Sequence, residues 1–123
     1  MAHTLLLVDD EPNILISLEF LMKREGYQVL LARDGVEALE LLAQHRPDLI
    51  LLDVMMPRKN GFEVCQELRA NDAYKSIRIL MLTAKGRDTD VAKGLALGAD
   101  AYMTKPFSTR ELVEKVRSLL PAA

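Results

Sequence analysis

The chain lacks several features that define large classes of protein. Tryptophan is absent, and Cys65 is the single cysteine among 123 residues, so neither an intrachain disulfide nor a zinc site built from cysteines can form. Sixteen lysines and arginines stand against eighteen aspartates and glutamates, which leaves no basic surplus for nucleic acid. No apolar run approaches the length of a membrane span, and no secretion signal opens the chain. We therefore expect a cytoplasmic protein that binds neither nucleic acid nor membranes directly.

The residues that are present favour one α/β domain over positions 1–123. Half of them are hydrophobic, which is enough for a core at this size. Short apolar runs predict five strands, at 4–8, 27–32, 48–53, 77–83 and 100–104. Helical periodicity predicts five helices, at 12–25, 35–45, 62–70, 88–97 and 108–120. Because strands and helices alternate, right-handed crossovers would give a doubly wound parallel sheet covered by helices on both faces.

Capping signals mark the ends of the predicted helices. Asp34 is placed to cap the second helix, and Ser108 with Glu111 matches the S-x-x-E capping box that opens the fifth. Gly26 and Gly98 are suited to end the first and fourth helices. These signals support the order of elements, and the order matters for function because ligands of doubly wound sheets bind outside the carboxyl ends of the strands.

Four of the predicted strands run into polar residues that can do chemistry. Asp9 and Asp10 follow the first strand, Asp53 ends the third, Thr83 the fourth, and Lys105 follows the fifth. Taken alone, each has an ordinary explanation: helix capping for the paired acids, strand-end polarity for Asp53 and Thr83, and surface charge for Lys105. Taken together, they predict one pocket at one edge of the sheet.

Three carboxylates in one pocket raise each other's pKa and favour a bound cation. Magnesium prefers oxygen ligands and keeps several waters, so two carboxylates and a backbone carbonyl suffice to hold it. Its remaining positions can bind phosphoryl oxygens, and a carboxylate can then act as nucleophile and become an acyl phosphate. Lys105 would neutralise the transferred group together with the metal, and Thr83 would donate a hydrogen bond to it.

The sequence around this pocket resembles the receiver domain of two-component response regulators. The similar segments are LLLVDDEP at 5–12, DLILLDVMMPRKNGFEV at 48–64, LTA at 82–84, and LGADAYMTKPF at 97–107 followed by STREL. The resemblance covers essentially the whole chain. It implies a flavodoxin-like, three-layer α/β/α fold with strand order 2-1-3-4-5, and a single receiver domain without an output domain in this chain.

The resemblance makes Asp53 the phosphoacceptor. It implies a Mg²⁺ ion on Asp9, Asp10, Asp53 and the backbone carbonyl of Met55, with Asp10 as a direct ligand and Asp9 acting largely through water. In such domains the side chains two positions beyond the phosphoacceptor and beyond the threonine, here Met55 and Lys85, help or hinder the hydrolytic water. Since methionine cannot orient a water molecule, we predict slow self-dephosphorylation.

The resemblance also implies how the phosphoryl group is held and sensed. Thr83, Ala84 and Lys105 would bind it, and the peptide bond between Lys105 and Pro106 would be cis. Thr83 and Tyr102 would form a switch pair, in which the hydroxyl moves toward the phosphoryl group and the ring then turns inward. Such a change is a shift between two existing states that a new charge biases.

Two surfaces are expected to bind partners. A histidine kinase or histidine phosphotransfer protein would dock on the first helix, whose apolar content exceeds one sheet-facing stripe; the expected contact residues are Ile14, Ser17 and Phe20. The alternative is a deeply buried helix. Output would pass through the fourth helix, fifth strand and fifth helix, and allow either a monomer or a dimer formed on phosphorylation. The charged residues expected on this face are Lys93, Asp100, Glu111, Lys115 and Arg117.

Two other functions use a similar sheet edge. An aspartyl-phosphate phosphatase of the haloacid dehalogenase type would want a second acid where this chain has Met55, and usually a cap domain. A flavin carrier would need a phosphate loop rich in Ser, Thr and Gly after the first strand, where Asp9 and Asp10 would repel phosphate. We therefore predict a phosphorylation-controlled switch of a phosphorelay, and not an enzyme.

Overall fold

Strands and helices alternate along the computed structural model, which describes residues 3–84 and 87–120. The strands are β1 (Thr4–Val8), β2 (Gln28–Ala32), β3 (Leu49–Asp53), β4 (Arg78–Ala84) and β5 (Ala101–Lys105). The α-helices are α1 (Pro12–Arg24), α2 (Gly35–Leu42), α3 (Gly61–Ala70), α4 (Asp88–Ala96) and α5 (Thr109–Leu119). A short 3₁₀ helix that the sequence pattern did not predict spans Asp72–Tyr74.

The strands form one parallel sheet in the order β2-β1-β3-β4-β5, which confirms the predicted fold. Leu52 of β3 pairs with Val8 of β1 on one side and with Met81 of β4 on the other. The carboxyl ends of these three strands therefore lie side by side. The chain runs from β1 to β2 on one side and then to β3 on the other, so the crevice of the switch point opens between β1 and β3.

Alternate side chains of the central strands enter two apolar layers, one on each face of the sheet. Leu5 and Leu7 belong to the layer that is closed by α1 and α5, and Leu6 and Val8 belong to the layer that is closed by α2 and α3. All four side chains are fully buried. Because burying a leucine contributes about 2 kcal/mol, these layers hold the strand ends, and hence the site, firmly in place.

The helix ends agree with the predicted boundaries to within a few residues. Gly26 and Gly98 follow α1 and α4 with φ of 93° and 112°, a left-handed conformation that glycine adopts without steric cost. The second helix ends at Leu42 and not at His45. Just after this end, the amide of Gln44 donates to the carbonyl of Leu41, three residues back, which tightens the last turn.

The predicted capping box of α5 is only half formed. Ser108 Oγ accepts a hydrogen bond from the Glu111 amide at 3.0 Å, but the Glu111 carboxylate accepts a hydrogen bond from the Ser108 hydroxyl and not from the Ser108 backbone N–H. A reciprocal box does form at the start of α3, between Asn60 and Glu63. Within residues 3–84 and 87–120, no helix combines the length and apolar character needed to cross a bilayer.

Candidate functional site

The carboxylates of Asp9, Asp10 and Asp53 converge at the crevice between β1 and β3. One oxygen atom from each lies within 4.8 Å of the other two. Asp9 is fully buried and Asp53 is 6% exposed, whereas Asp10 is open to solvent. Asp9 is held by its backbone, because its N–H donates to the Ala32 carbonyl at 3.2 Å and its carboxylate accepts from the amide of Glu11 at 2.9 Å.

Lys105 lies between the two buried acids. Its Nζ is 2.9 Å from Oδ2 of Asp9 and 3.3 Å from Oδ1 of Asp53, so it contacts both carboxylates and not Asp53 alone. Burial acts to lower the pKa of Lys105, but the hydrogen bond to Asp9 and the charges of Asp53 and Asp9 outweigh it, and the pKa is raised. The ammonium group is therefore charged at neutral pH.

One ammonium group does not balance three acids, and the imbalance shows at Asp53. Burial and then the charge of Asp9 raise the pKa of Asp53 to about 6, although Lys105 acts to lower it. The donor set consists of oxygens from two buried acids and from the accessible Asp10. Hard oxygen donors with surplus negative charge, one of them open to solvent, fit a hydrated divalent ion such as Mg²⁺.

The predicted switch residues lie on the neighbouring strands. Thr83 is 1% exposed, and its hydroxyl donates to the Met103 carbonyl at 3.5 Å, a long distance for a hydroxyl bond. Ala84 follows it and is exposed. Tyr102 pairs in register with Met81, which puts it on the same face of the sheet as Thr83, and its side chain is 43% exposed.

Met55 belongs to the loop that follows Asp53, and its side chain is 59% exposed. Its backbone comes directly after Val54, whose N–H is bonded to the Leu82 carbonyl at 3.2 Å. Lys85, the second position expected to govern the hydrolytic water, lies outside the described residues. The peptide bond between Lys105 and Pro106 is cis.

An apolar groove lies next to the acidic cluster, between α1 and the segment after β5. It has a volume of about 510 Å³. Ile14 and Ser17 line it, together with Phe107. Phe20, the third predicted docking residue, does not line this groove. The side chains of Phe20 and Ile16 are 69% and 62% exposed. The alternative of a deeply buried first helix is therefore wrong, because α1 presents apolar side chains to solvent as well as to the core.

Of the five charged residues expected on the output face, three line one cleft of about 750 Å³ between β5 and α5: Asp100, Glu111 and Lys115. Tyr102 lines the same cleft. The remaining two residues are not brought there. The ammonium of Lys93 lies 4.6 Å from the ring centroid of Phe62 on α3.

Arg117 also departs from the expected face. Its Nη2 donates to Oε1 of Glu25, the residue that follows α1, at 3.5 Å. The carboxylate of Asp100 is also engaged elsewhere, since Arg69 donates to it at 2.8 Å and the Ile79 amide at 2.7 Å. Its charge therefore stabilises the start of β5 and is only partly available to a partner.

Two contacts near the site were missed by sequence reasoning. Arg58 in the loop after β3 forms a two-pronged ion pair with Asp34, the cap of α2. Gly61 lies so close to the backbone of Asp53 that a Cβ atom there would stand 2.5 Å from the Asp53 carbonyl oxygen. The glycine of the segment KNGF was the available signal, whereas no spacing rule connects Arg58 with Asp34.

The fold and the site together define a class: a doubly wound parallel α/β protein with an acidic, lysine-bridged cluster at its switch point. The family model of the response regulator receiver domain matches residues 5–117. The chain belongs to this family. This result leaves the dehalogenase-type phosphatase and the flavin carrier without support.

Solved structures similar to this chain include two response regulators. One is a putative response regulator from Chloroflexus aurantiacus, with 37% identity, a TM-score of 0.93, and coverage of 97% of this chain and 98% of that one. The second is the chemotaxis response regulator CheY4 of Vibrio cholerae, with 34% identity, a TM-score of 0.92, and coverage of 98% and 100%.

A third similar structure contains a metal ion. It is the receiver domain of a sensor histidine kinase from Pseudomonas aeruginosa, which has a magnesium ion coordinated in its active site cleft. This relative has 30% identity and a TM-score of 0.88, and the match covers 97% of this chain and 98% of that one.

The raised pKa of Asp53 predicts a pH-dependent effect of Asp53→Asn on stability without metal. The pKa is about 6 in the fold against an ordinary 3.8, so folding takes up a proton between these values and wild-type stability falls as pH rises through them. The variant should gain up to about 3 kcal/mol over the wild type at neutral pH, because one pKa unit corresponds to about 1.4 kcal/mol.

Urea denaturation of both proteins between about pH 4 and pH 8 measures this difference. The stability gained by Asp53→Asn should increase from acidic pH to neutral pH and then level off. Asp48→Asn, at the other end of β3, is the control for loss of a carboxylate outside the cluster. A gain that stays constant over the whole range would contradict the raised pKa.

Proposed function

We propose that this receiver domain accepts a phosphoryl group on Asp53, with Mg²⁺, from a histidine kinase or a histidine phosphotransfer protein. The observation that carries the proposal is the cluster of three carboxylates at the carboxyl ends of the strands, two of which contact the ammonium group of Lys105. The protein would then be a phosphorylation-controlled binding module of a two-component phosphorelay in the cytoplasm, and its only chemistry would take place on its own side chain.

Each residue of the cluster has a distinct task in this proposal. Asp10, Asp53 and the backbone carbonyl of Met55 would hold Mg²⁺, and Asp9 would act on it largely through water. The ion would supply positive charge for the phosphoryl oxygens. Lys105 lies 3.3 Å from Asp53 and would supply a second positive charge for the phosphoryl oxygens.

The transfer itself forms one bond and breaks one. A carboxylate oxygen of Asp53 attacks phosphorus, and the bond from phosphorus to the donor's histidine nitrogen breaks. The imidazole keeps the electron pair, and an acyl phosphate remains on Asp53. Asp53 is suited to this role because it is 6% exposed, which keeps most solvent away while the crevice still admits a donor.

The switch would use the weak bond of Thr83. Its hydroxyl donates to the Met103 carbonyl at 3.5 Å, so a phosphoryl oxygen can replace that acceptor at low cost. Tyr102 lies on the same face and is 43% exposed, and its ring would turn inward into the space that the threonine leaves. Phosphorylation would thereby shift the population of two conformations of the β4 and β5 edge.

Partners would bind on two sides of the cluster. The kinase or phosphotransfer protein would dock on α1, where Ile14 and Ser17 line the groove and Phe20 is exposed. Output would use the cleft beside Tyr102, where Glu111 and Lys115 offer opposite charges. In this proposal the protein is a monomer or a dimer formed on phosphorylation, and it binds neither nucleic acid nor membranes directly.

Phosphorylation of the full chain is the direct test. Incubation with acetyl phosphate and Mg²⁺ should add the mass of one phosphoryl group, measured by intact-protein mass spectrometry. Asp53→Asn should remove the addition because the amide is a poor nucleophile. Asp48→Asn is the matched control, since Asp48 precedes the same strand and binds the Thr4 amide. No addition to wild type, or equal addition to Asp53→Asn, would overturn the proposal.

The lifetime of the acyl phosphate provides a second test. The thioether of Met55 cannot orient a water molecule, so the phosphoryl group should last minutes to hours after acetyl phosphate is removed. Met55→Asn should shorten this lifetime by about tenfold or more, because the amide can position the attacking water. Met55→Leu is the apolar control and should leave it unchanged. A wild-type lifetime of seconds would refute this expectation.

A further inference from the structure

Residues 55–60 make up most of the loop between β3 and α3 and include the Met55 carbonyl proposed as a metal ligand. The base of the loop is fixed at both ends. The Val54 carbonyl accepts a hydrogen bond from the Gly61 amide at 3.0 Å, and the Val54 amide donates to the Leu82 carbonyl at 3.2 Å. A side chain at position 61 would collide with the Asp53 carbonyl, so glycine permits this closure. The residues between the two ends need further contacts to hold one conformation.

Met56 packs against the apolar core, and Arg58, near the tip of the loop, supplies the contacts to α2. It has φ of 65°, a left-handed conformation that is uncommon for a residue with a Cβ atom. Its Nε donates to Oδ2 of Asp34 at 2.8 Å, and its Nη2 donates to Oδ1 at 3.0 Å. Beside this pair, the Gly35 amide donates to the Lys59 carbonyl at 3.0 Å. The tip is therefore bound to the start of α2 by both backbone and side chain.

Asp34 is a firm anchor for the guanidinium group. Its side chain is 13% exposed and caps α2 by accepting the Glu37 amide at 2.9 Å. This backbone bond is the main cause of its lowered pKa, which burial opposes and Arg58 reinforces. The carboxylate is thus charged and fixed in orientation, and it can hold both prongs of Arg58 at once.

We propose that Arg58 is a positioning residue for the metal site. By binding Asp34, it holds the loop 55–60 so that the Met55 carbonyl is oriented toward the acidic cluster before the ion arrives. This inference rests on the proposed function, because it concerns the metal that phosphorylation requires. A half-exposed ion pair adds little to global stability. We therefore expect the pair to affect how well the loop is ordered and how tightly the metal binds.

Charge alone predicts a different pattern from positioning. If Arg58 acted only through its long-range field, Arg58→Ala would remove a cation near the cluster and strengthen Mg²⁺ binding. Asp34→Asn would remove an anion and weaken it. Positioning predicts that both substitutions weaken binding, since either one breaks the same pair. Asparagine can still cap α2, so Asp34→Asn tests the pair without removing the helix cap.

Titration calorimetry of Mg²⁺ with the full chain measures this affinity. We expect Arg58→Ala and Asp34→Asn each to raise Kd by about two- to fivefold, and the double variant to match the single ones because the effects are not additive. Arg58→Gly accepts the left-handed backbone without strain and should behave like Arg58→Ala. Lys59→Ala breaks the loop's other ion pair, with Glu67 at 2.8 Å, and should leave Kd near the wild-type value.

Hydrogen exchange without metal gives an independent measurement. Amides of the loop 55–60 should exchange faster in Arg58→Ala than in wild type, while those of β1 and β3 stay unchanged. Unchanged or tighter Mg²⁺ binding in Arg58→Ala, with wild type binding normally, would overturn the positioning role alone. Failure of wild type to bind Mg²⁺ at all would overturn the proposed function, and this inference with it.

Discussion

The ammonium of Lys105 lies 2.9 Å from Asp9 and 3.3 Å from Asp53, and the rest of the site depends on this contact. Without it, two carboxylates almost removed from solvent would face each other with no positive charge between them. Even with it, the charge is not balanced, because Asp10 adds a third carboxylate. The free protein therefore carries an electrostatic cost that a bound divalent ion would relieve, and this cost is the physical basis of the proposed Mg²⁺ site.

The fold supports this costly cluster by separating rigid parts from adjustable ones. The two buried acids stand at the ends of β1 and β3, whose leucines are fully buried in layers on both faces of the sheet. Tyr102 and the loop 55–60 lie at the edge of the site, where burial is lower. The acids thus keep their geometry, whereas Tyr102 of the proposed switch has room to respond to what binds. The loop 55–60 depends for its order on contacts outside the apolar layers, such as the pair of Arg58 with Asp34.

Much of this arrangement follows from the sequence because it is encoded locally. Each buried strand is a short apolar run that ends in a polar residue, so the strands and the meeting of Asp9, Asp53 and Lys105 were predictable, whereas the strand order was expected from the resemblance to receiver domains. Contacts of long side chains were not. Arg58 and Asp34 are 24 positions apart, and such pairs leave no periodic pattern. For the same reason, the sequence did not predict that Lys93, expected on the output face, lies over the ring of Phe62 on α3.

The most direct test of the central claim is the stability of the protein as a function of Mg²⁺ concentration. In urea denaturation near neutral pH, Mg²⁺ should raise the free energy of unfolding of wild type with the saturation of a single site. Asp10→Asn removes the most exposed acid of the cluster and should abolish most of this increase while the protein remains folded. Stability that does not change with Mg²⁺, or that rises equally in Asp10→Asn, would contradict the account.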